Sequence, residues 1–229
     1  VYPIALLLFR SELTEDQRDA ALLMLESWLV RRMICRLTAS GYNRLFLDLA
    51  RLLKEAPAQS DRVVYDFLSS TDAESARWPN DEEVSWVLND APLYRVLVRK
   101  RLVMLLRAIE YDLRTEKVEP VPVPSGLSVE HVLPQSWQKH WPIRTGDPDA
   151  SALRDSRVHR LGNLTLVTAK LNPSLSNAAW DVKKRELNKH SVLLMNSTLT
   201  GLPGWDDEGG EQDEQGETAN HRERSFPRT

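Results

Sequence analysis

Two short segments of the sequence combine an acid, an imidazole and two amides, which are groups that phosphodiester hydrolysis can use. The first segment contains Glu130 and His131, and the second contains Asn163 and, nine positions later, Asn172. Hydrolysis needs a base that activates water and a cation that absorbs the charge developing on the phosphate. Histidine is the natural base near neutral pH. Glu130 and Asn172 carry the hard oxygen atoms that Mg²⁺ accepts as ligands.

Both segments have the residue pattern of short β-strands. Residues 128–133 alternate in the way expected of a strand, and residues 163–168 are rich in branched side chains. Residues 178–187 follow a run of N-cap candidates and have a helical pattern. The predicted order is therefore strand, long loop, strand, helix. Because adjacent strand residues point to opposite faces, Glu130 and His131 can share one site only if the strand twists or ends there.

These residues resemble the ββα-metal nucleases of the HNH, or His-Me finger, class. More closely, residues 127–190 resemble the C-terminal HNH domain of GmrSD-type, modification-dependent restriction endonucleases, whose relatives include the phosphorothioate-sensing SspE proteins. The helical part before this region also looks like the segment that precedes the domain in such proteins. The similarity rests on three motifs: Glu130-His131-Val132-Leu133-Pro134-Gln135-Ser136, Arg160-Leu161-Gly162-Asn163-Leu164-Thr165-Leu166, and Asn172 followed by Asn177 and Lys183.

The resemblance implies a role for each matching residue. It makes His131 the general base that activates water and Asn163 the residue that orients the imidazole from the facing strand. Glu130 and Asn172 become the ligands of a single divalent ion, Mg²⁺ or Mn²⁺. The family often has a histidine where this sequence has Asn172, and asparagine at that position is also seen in the HNH domains of CRISPR effector nucleases.

Residues 151–200 carry a surplus of positive charge, which suits a polyanionic partner. They contain eight basic and three acidic residues, although the formal net charge of the whole chain is −3. Neutralisation of phosphates supplies most of the sequence-independent affinity for DNA. The alternative interpretation is an ordinary solvated helix face, which we prefer for Lys184 taken singly. The predicted DNA-binding residues are His159, Arg160, Lys183, Lys184 and Arg185.

Changes in composition divide the chain into four parts. A helical domain is predicted over residues 1–118, where apolar residues recur at helical spacing. Alternating prolines make residues 119–126 an extended linker. Residues 127–200 form the HNH ββα-metal nuclease module implied by the resemblance, and the acidic, glycine-containing residues 201–229 are expected to be disordered. The predicted fold class is mainly α, with a helical domain followed by a ββα-metal (HNH) module.

Two helices of the predicted helical domain begin with capping sequences. Residues 14–17 (Thr-Glu-Asp-Gln) and residues 80–83 (Asn-Asp-Glu-Glu) place a cap residue three positions before a second polar side chain. A further, uninterrupted helix is predicted from Tyr94 to Tyr111.

The composition also limits the cellular setting. The single cysteine, Cys35, rules out a disulfide framework and fits a reducing cytoplasm. The apolar run at residues 4–9 is too short to span a bilayer, so no membrane partner is expected. By resemblance, the partners are double-stranded DNA, notably phage DNA, and an N-terminal sensor or NTPase domain of the same longer protein.

The predicted function is that of a metal-dependent DNA endonuclease that nicks DNA and serves as the effector of a bacterial anti-phage restriction protein. The alternative is a catalytically inactive DNA- or protein-binding module in which the helical domain does the work. A nuclease acting on RNA is a third possibility. The sequence contains no phosphate-binding P-loop pattern, so no NTPase activity is expected from these residues.

Overall fold

The computed structural model describes residues 1–71, 73–114, 121–143, 148–202 and 204–205, in which helices predominate. The mainly α fold class is confirmed. Within these ranges no helix has both the length and the apolar character needed to cross a bilayer. The strands are β1 (Leu127–His131) and β2 (Leu164–Thr168). The helices are α1 (Tyr2–Arg10), α2 (Glu15–Ile34), α3 (Tyr42–Glu55), α4 (Ser60–Ser69), α5 (Asp81–Asp90), α6 (Leu93–Val96), α7 (Arg99–Asp112), α8 (Ala150–Arg157), α9 (Asn172–Leu175), α10 (Trp180–His190) and α11 (Leu194–Gly201).

The first compact unit, Val1–Val87, is built from helices that enclose an apolar core. The predicted capping box is confirmed at the start of α2, where the Gln17 amide donates to Thr14 Oγ1 and the Thr14 amide donates to Gln17 Oε1. At the second capping sequence the Glu83 amide donates to Asn80 Oδ1 over 2.8 Å. The most deeply buried core residues are Ile4, Leu8, Ala21, Trp28, Leu49, Val64 and Leu68.

In this unit a buried arginine of α2 binds main-chain carbonyls of two loops. Arg32 is 0 % exposed, and its guanidinium lies 4.9 Å from the centroid of the Trp28 ring. No acidic side chain of the described residues forms an ion pair with it. Its hydrogen-bond acceptors, at 2.7 to 3.3 Å, are the Tyr42 hydroxyl and the main-chain oxygens of Thr38, Glu74, Ser75 and Arg77.

The second compact unit, Leu88–Thr229, contains both strands. β1 and β2 are antiparallel, with Leu127 opposite Thr168 and His131 opposite Leu164. Both predicted strands therefore form, and α10 corresponds to the helix predicted after the second strand, but the segment predicted as a long loop contains α8. The long segment between the strands packs its own apolar cluster, formed by Leu133, Trp137, Trp141 and Val158.

Helix α7 packs on both strands and on α11, so it belongs to the second unit. Its residue Glu110 is fully buried and accepts hydrogen bonds from Arg114 and from the main-chain amides of Leu194 and Met195. The two compact units accordingly divide between residues 87 and 88, earlier than the predicted end of the helical domain at residue 118. The predicted linker lies partly outside the described residues, as does nearly all of the predicted disordered tail.

The uninterrupted helix predicted from Tyr94 to Tyr111 is wrong, because Leu97 and Val98 are extended and separate α6 from α7. The main-chain amide of Tyr94 lies in the first turn of α6 and donates to the carbonyl of His159 over 3.1 Å. Leu97 is also buried. Tertiary contacts thus override the local helical pattern here, and they bring α6 beside the segment that precedes β2.

Candidate active site

A cluster of three aromatic rings surrounds the end of β1. His131 is 5 % exposed, and its Nε2 lies 3.4 Å from Nδ1 of His159. The ring of Tyr94 packs edge-on against His131 with a centroid distance of 4.2 Å, and it stacks on His159 at 5.6 Å. The rings come from β1, from α6 and from the segment before β2, so three separate parts of the chain fix the position of the His131 imidazole.

Both histidines of this cluster favour the neutral state. Burial lowers the pKa of His131 to about 3, with additional contributions from His159, Lys183 and Arg99. Burial also lowers the pKa of His159, and the positive charges of Arg95 and Arg99 lower it further. At pH 7 His131 is therefore unprotonated, the state from which a base accepts a proton, although a pKa of about 3 makes the imidazole a weaker base than one that titrates near neutral pH.

Glu130 is the neighbour of His131 on β1, and a strand alternation places its side chain on the other face. Its Oε1 accepts a hydrogen bond of 2.7 Å from Nζ of Lys183, which also donates to the main-chain oxygen of His131 over 2.6 Å. Lys183 comes from α10 and is 1 % exposed. Burial raises the pKa of Glu130 against the opposing effect of Lys183, and burial lowers the pKa of Lys183 against the effect of Glu130.

Asn163 joins the segment after β1 to the segment before β2. Its Oδ1 accepts from the amide of Leu133 over 2.7 Å, and its Nδ2 donates to the carbonyls of Leu133 and Val158, each over 2.8 Å. Leu133 follows His131 by two residues and Val158 directly precedes His159, so these main-chain groups lie close to both histidines in sequence. The predicted orientation of the imidazole by Asn163 would therefore act through the backbone, which makes Asn163 a positioning residue.

Asn172 and Glu130 lie near the same face of β1. The Nδ2 atom of Asn172 donates to Oγ of Ser128 over 3.0 Å, which leaves the amide oxygen as the possible metal ligand. Ser128 and Glu130 are alternate strand residues, about 7 Å apart on one face. The described residues contain no group of three or more His, Cys, Asp and Glu that could hold a metal. Mg²⁺ often takes only one or two protein ligands, however, and two hard oxygen donors fit that preference.

Two of the predicted DNA-binding residues are buried. Lys183 is enclosed with Glu130, and His159 faces His131 with 6 % of its surface exposed. Neither side chain presents a free surface to a DNA backbone in this structure, and Lys183 is buried although the sequence predicted it as a DNA contact. The reason is the helical period of α10: Lys183 lies one turn before the buried Leu187 and shares its inward face. That spacing is the signal in the sequence that could have revealed the burial.

The other three predicted DNA-binding residues differ in exposure and in the groups that their side chains contact. Arg160 forms an ion pair with Asp90 at 2.9 Å, and Nζ of Lys184 donates to the main-chain oxygen of Leu202 over 2.6 Å. The side chain of Arg185 is 67 % exposed and approaches only Glu186, at 3.5 Å. Of these three, Arg185 is the best placed to contact a polyanion.

Sequence reasoning missed Tyr94 and Arg99. The guanidinium of Arg99 lies over the Tyr94 ring, 3.3 Å from its centroid, and Tyr94 in turn contacts His131. No local pattern connects α6 to β1, because the contact is long-range. The available signal was the charge of the segment, since residues 91–109 contain five basic residues and no acidic one.

Comparison with known proteins places this arrangement in a family. No curated protein and no solved structure is significantly similar to the chain. Residues 78–215 match the family of GmrSD restriction endonucleases, C-terminal domain. The match covers more than half of the chain and includes the three-ring cluster, Glu130, Lys183 and both asparagines. The chain therefore belongs to the family of the C-terminal domain of GmrSD restriction endonucleases.

Proposed function

We propose that this chain is a metal-dependent DNA endonuclease of the HNH type that nicks one strand of its substrate. The observation that carries the proposal is the His131 imidazole at the end of β1, which the rings of Tyr94 and His159 hold in place and which Glu130 directly precedes in the strand. A family of restriction endonucleases supports DNA as the substrate. The succession of two antiparallel strands and following helices is the arrangement expected of a ββα-metal module.

In the proposed reaction His131 accepts a proton from the attacking water. The water oxygen forms a bond to phosphorus while the bond from phosphorus to the leaving oxygen breaks, and the leaving oxygen takes a proton from solvent. Tyr94 and His159 hold the imidazole by direct ring contacts. Asn163 holds the backbone at Leu133, after His131, and at Val158, before His159. These hydrogen bonds limit displacement of the His131 imidazole.

Glu130 and Asn172 are the proposed ligands of one Mg²⁺ or Mn²⁺ ion. When bound, such an ion supplies the positive charge that stabilises the phosphate in the transition state. Lys183 orients the Glu130 carboxylate and opposes the rise in its pKa caused by burial. A metal ligand requires the ionised carboxylate, and the contact with Lys183 favours that form.

The proposal also covers the product and the biological setting. One HNH site cuts one strand, so a nick is the expected product and a double-strand break requires two sites. We propose that the substrate is phage DNA in bacterial defence. We also propose that an N-terminal sensor or NTPase domain of the same longer protein controls the cleavage.

Incubation of the purified chain with supercoiled plasmid and Mg²⁺ or Mn²⁺ tests this function. We expect open-circle product from the wild type, and a loss of about a hundredfold or more for His131→Ala, because a positioned base contributes at least that factor. His140→Ala is the matched control, since His140 is an exposed histidine, and it should retain full activity. EDTA should abolish the product, and a parallel RNA substrate distinguishes the RNA-directed alternative.

A catalytically inactive binding module is the second candidate. The observation that favours it is the ion pair between Glu130 and Lys183, because the lysine already neutralises the carboxylate where a metal ion would. Under this alternative neither metal yields product, and His131→Ala leaves the protective activity of the full protein unchanged. Persistent nicking in EDTA, by contrast, would contradict the metal-dependent mechanism and leave the enzyme assignment intact.

A further inference from the structure

The segment comprising α6 and the start of α7 is strongly and exclusively basic. Residues 91–109 contain five basic residues and no acidic one. Arg95, Arg99, Lys100 and Arg101 are all exposed. We call these four residues the α6–α7 basic cluster. By contrast, the basic residues of 151–200 include Lys183 and Arg160, which are engaged by Glu130 and Asp90.

The α6–α7 basic cluster lies beside the proposed base. The guanidinium of Arg99 lies over the ring of Tyr94, and the same ring contacts His131 and stacks on His159. A continuous line of contacts therefore runs from an exposed cation to the His131 imidazole. The charges of Arg95 and Arg99 also act on His159, which places both arginines within electrostatic reach of the ring cluster.

Stabilising contacts of the fold account for Arg99, which lies over the Tyr94 ring, but not for Arg95, Lys100 and Arg101. Within the described residues Arg95, Lys100 and Arg101 form no ion pair, and Arg99 donates to the main-chain oxygen of Tyr94. Arg99, Lys100 and Arg101 occupy the first turn of α7, which contains no acidic residue. Positive charge in the first turn of a helix is repelled by the helix dipole and weakens the helix. A polyanion bound at this surface would remove that repulsion.

We infer that Arg95 and Arg99, with Lys100 and Arg101 beside them, bind the phosphate backbone of DNA and place the scissile strand at His131. The inference rests on the proposed function for its substrate class. It assigns the main phosphate contacts to α6 and α7 instead of the α10 residues that the sequence alone favoured. Contacts of this kind carry no base specificity, since they recognise phosphate charge and spacing.

The test is the salt dependence of DNA binding in EDTA, where no cleavage takes place. The wild-type chain and the double variant Arg95→Gln/Arg99→Gln bind a short fluorescent duplex DNA at several salt concentrations. Each lost phosphate contact lowers the slope of log K against log salt by about one, so we expect the slope to fall by about two. Affinity should fall for every DNA sequence tried.

The matched control is Arg185→Gln/Lys189→Gln, which removes the same charge from two exposed residues of α10. We expect this control to lower the slope by less than the cluster variant does. An equal fall for both double variants would show a general effect of net charge and overturn the inference. A larger fall for the α10 pair would overturn it in favour of phosphate contacts on α10.

A second pair separates binding from folding. Lys100→Gln/Arg101→Gln leaves the contact between Arg99 and Tyr94 in place, and thermal unfolding monitors the fold of every variant. A lower slope in this pair as well supports the inference, whereas an unchanged slope in both cluster pairs overturns it. The plasmid assay remains independent: a wild type that binds through the cluster without nicking contradicts the proposed nuclease alone, and one that nicks with unchanged binding in the variants contradicts the cluster alone.

Discussion

The described residues of each compact unit include a deeply buried cation, Arg32 in the first and Lys183 in the second, but the two units neutralise it in different ways. Arg32 in the first unit distributes its five donors over four main-chain carbonyls and one hydroxyl. Lys183 in the second unit has one carboxylate, Glu130, and one carbonyl. A planar guanidinium can bridge many neutral acceptors, whereas an ammonium is a compact charge that is best matched by an anion.

This difference suggests that Arg32 has a structural role, whereas Lys183 belongs to the proposed site. The main-chain acceptors of Arg32 belong to two loops and its hydroxyl acceptor, Tyr42, to α3, so its contribution is to hold those loops and the start of α3 on α2. The partners of Lys183 are the proposed metal ligand and the backbone of the proposed base, so its contribution is to fix the site. The first unit also contains no histidine, since all five histidines of the chain follow residue 130.

The largest expected effect follows from Arg32→Met. The substitution removes the donors for four carbonyls, and each unsatisfied group costs at least about 1 kcal/mol, so we expect a loss of about 4 kcal/mol in the free energy of unfolding. Urea denaturation measures it. The control Arg51→Met changes a side chain that is 67 % exposed, and its effect should stay within about 0.5 kcal/mol. Similar values for both variants would show that the loops hold without Arg32.

Lys183→Met should have the next largest effect. It leaves Glu130 buried without its partner, which costs about 3 kcal/mol. The comparison sharpens in the double variant Lys183→Met/Glu130→Leu, because replacing a buried ion pair by apolar residues is often neutral. We expect this variant to recover most of the stability and none of the nicking. Failure of Glu130→Leu to rescue Lys183→Met would mean that Lys183, like Arg32, acts mainly through main-chain partners.

A smaller effect concerns pH and should arise from the second unit. The folded-state pKa of His131 is lowered from 6.5 to about 3, so the unfolded chain binds more protons between these values. Stability from this group is present above pH 6.5 and is lost as the pH falls. Between about pH 7.5 and pH 5.5 the loss is about 1.4 kcal/mol.

Urea denaturation of the wild type and of His131→Gln at both pH values measures this difference. The variant cannot titrate at this position and should lose less stability by that amount. Subtraction of the two proteins also removes the contribution of Glu130, whose raised pKa acts in the opposite direction. An identical pH dependence in the two proteins would show that His131 is accessible to protons in the folded state.

Features that depend on a local residue pattern could be predicted from the sequence. The alternation before Pro134 and the branched residues after Gly162 identified both strands, whereas the roles of His131 and Asn172 stay predictions from the resemblance. The environment of each residue was not predictable, because it depends on partners distant in sequence. Tyr94 reaches His131 across the break between α6 and α7, and Lys183 reaches Glu130 from the inward face of α10. Charge alone made Lys183 resemble a surface residue.

The buried contact of Glu110 determines how short a functional fragment can be. Glu110 lies on α7, which carries Arg99, and its carboxylate accepts from the amides of Leu194 and Met195 at the start of α11. A fragment ending after α10 would contain every proposed catalytic residue and yet leave this carboxylate buried without those two donors. Proteolytic trimming that removes α11 would therefore loosen the packing of α7, although the cut lies far along the chain from the arginines that α7 carries.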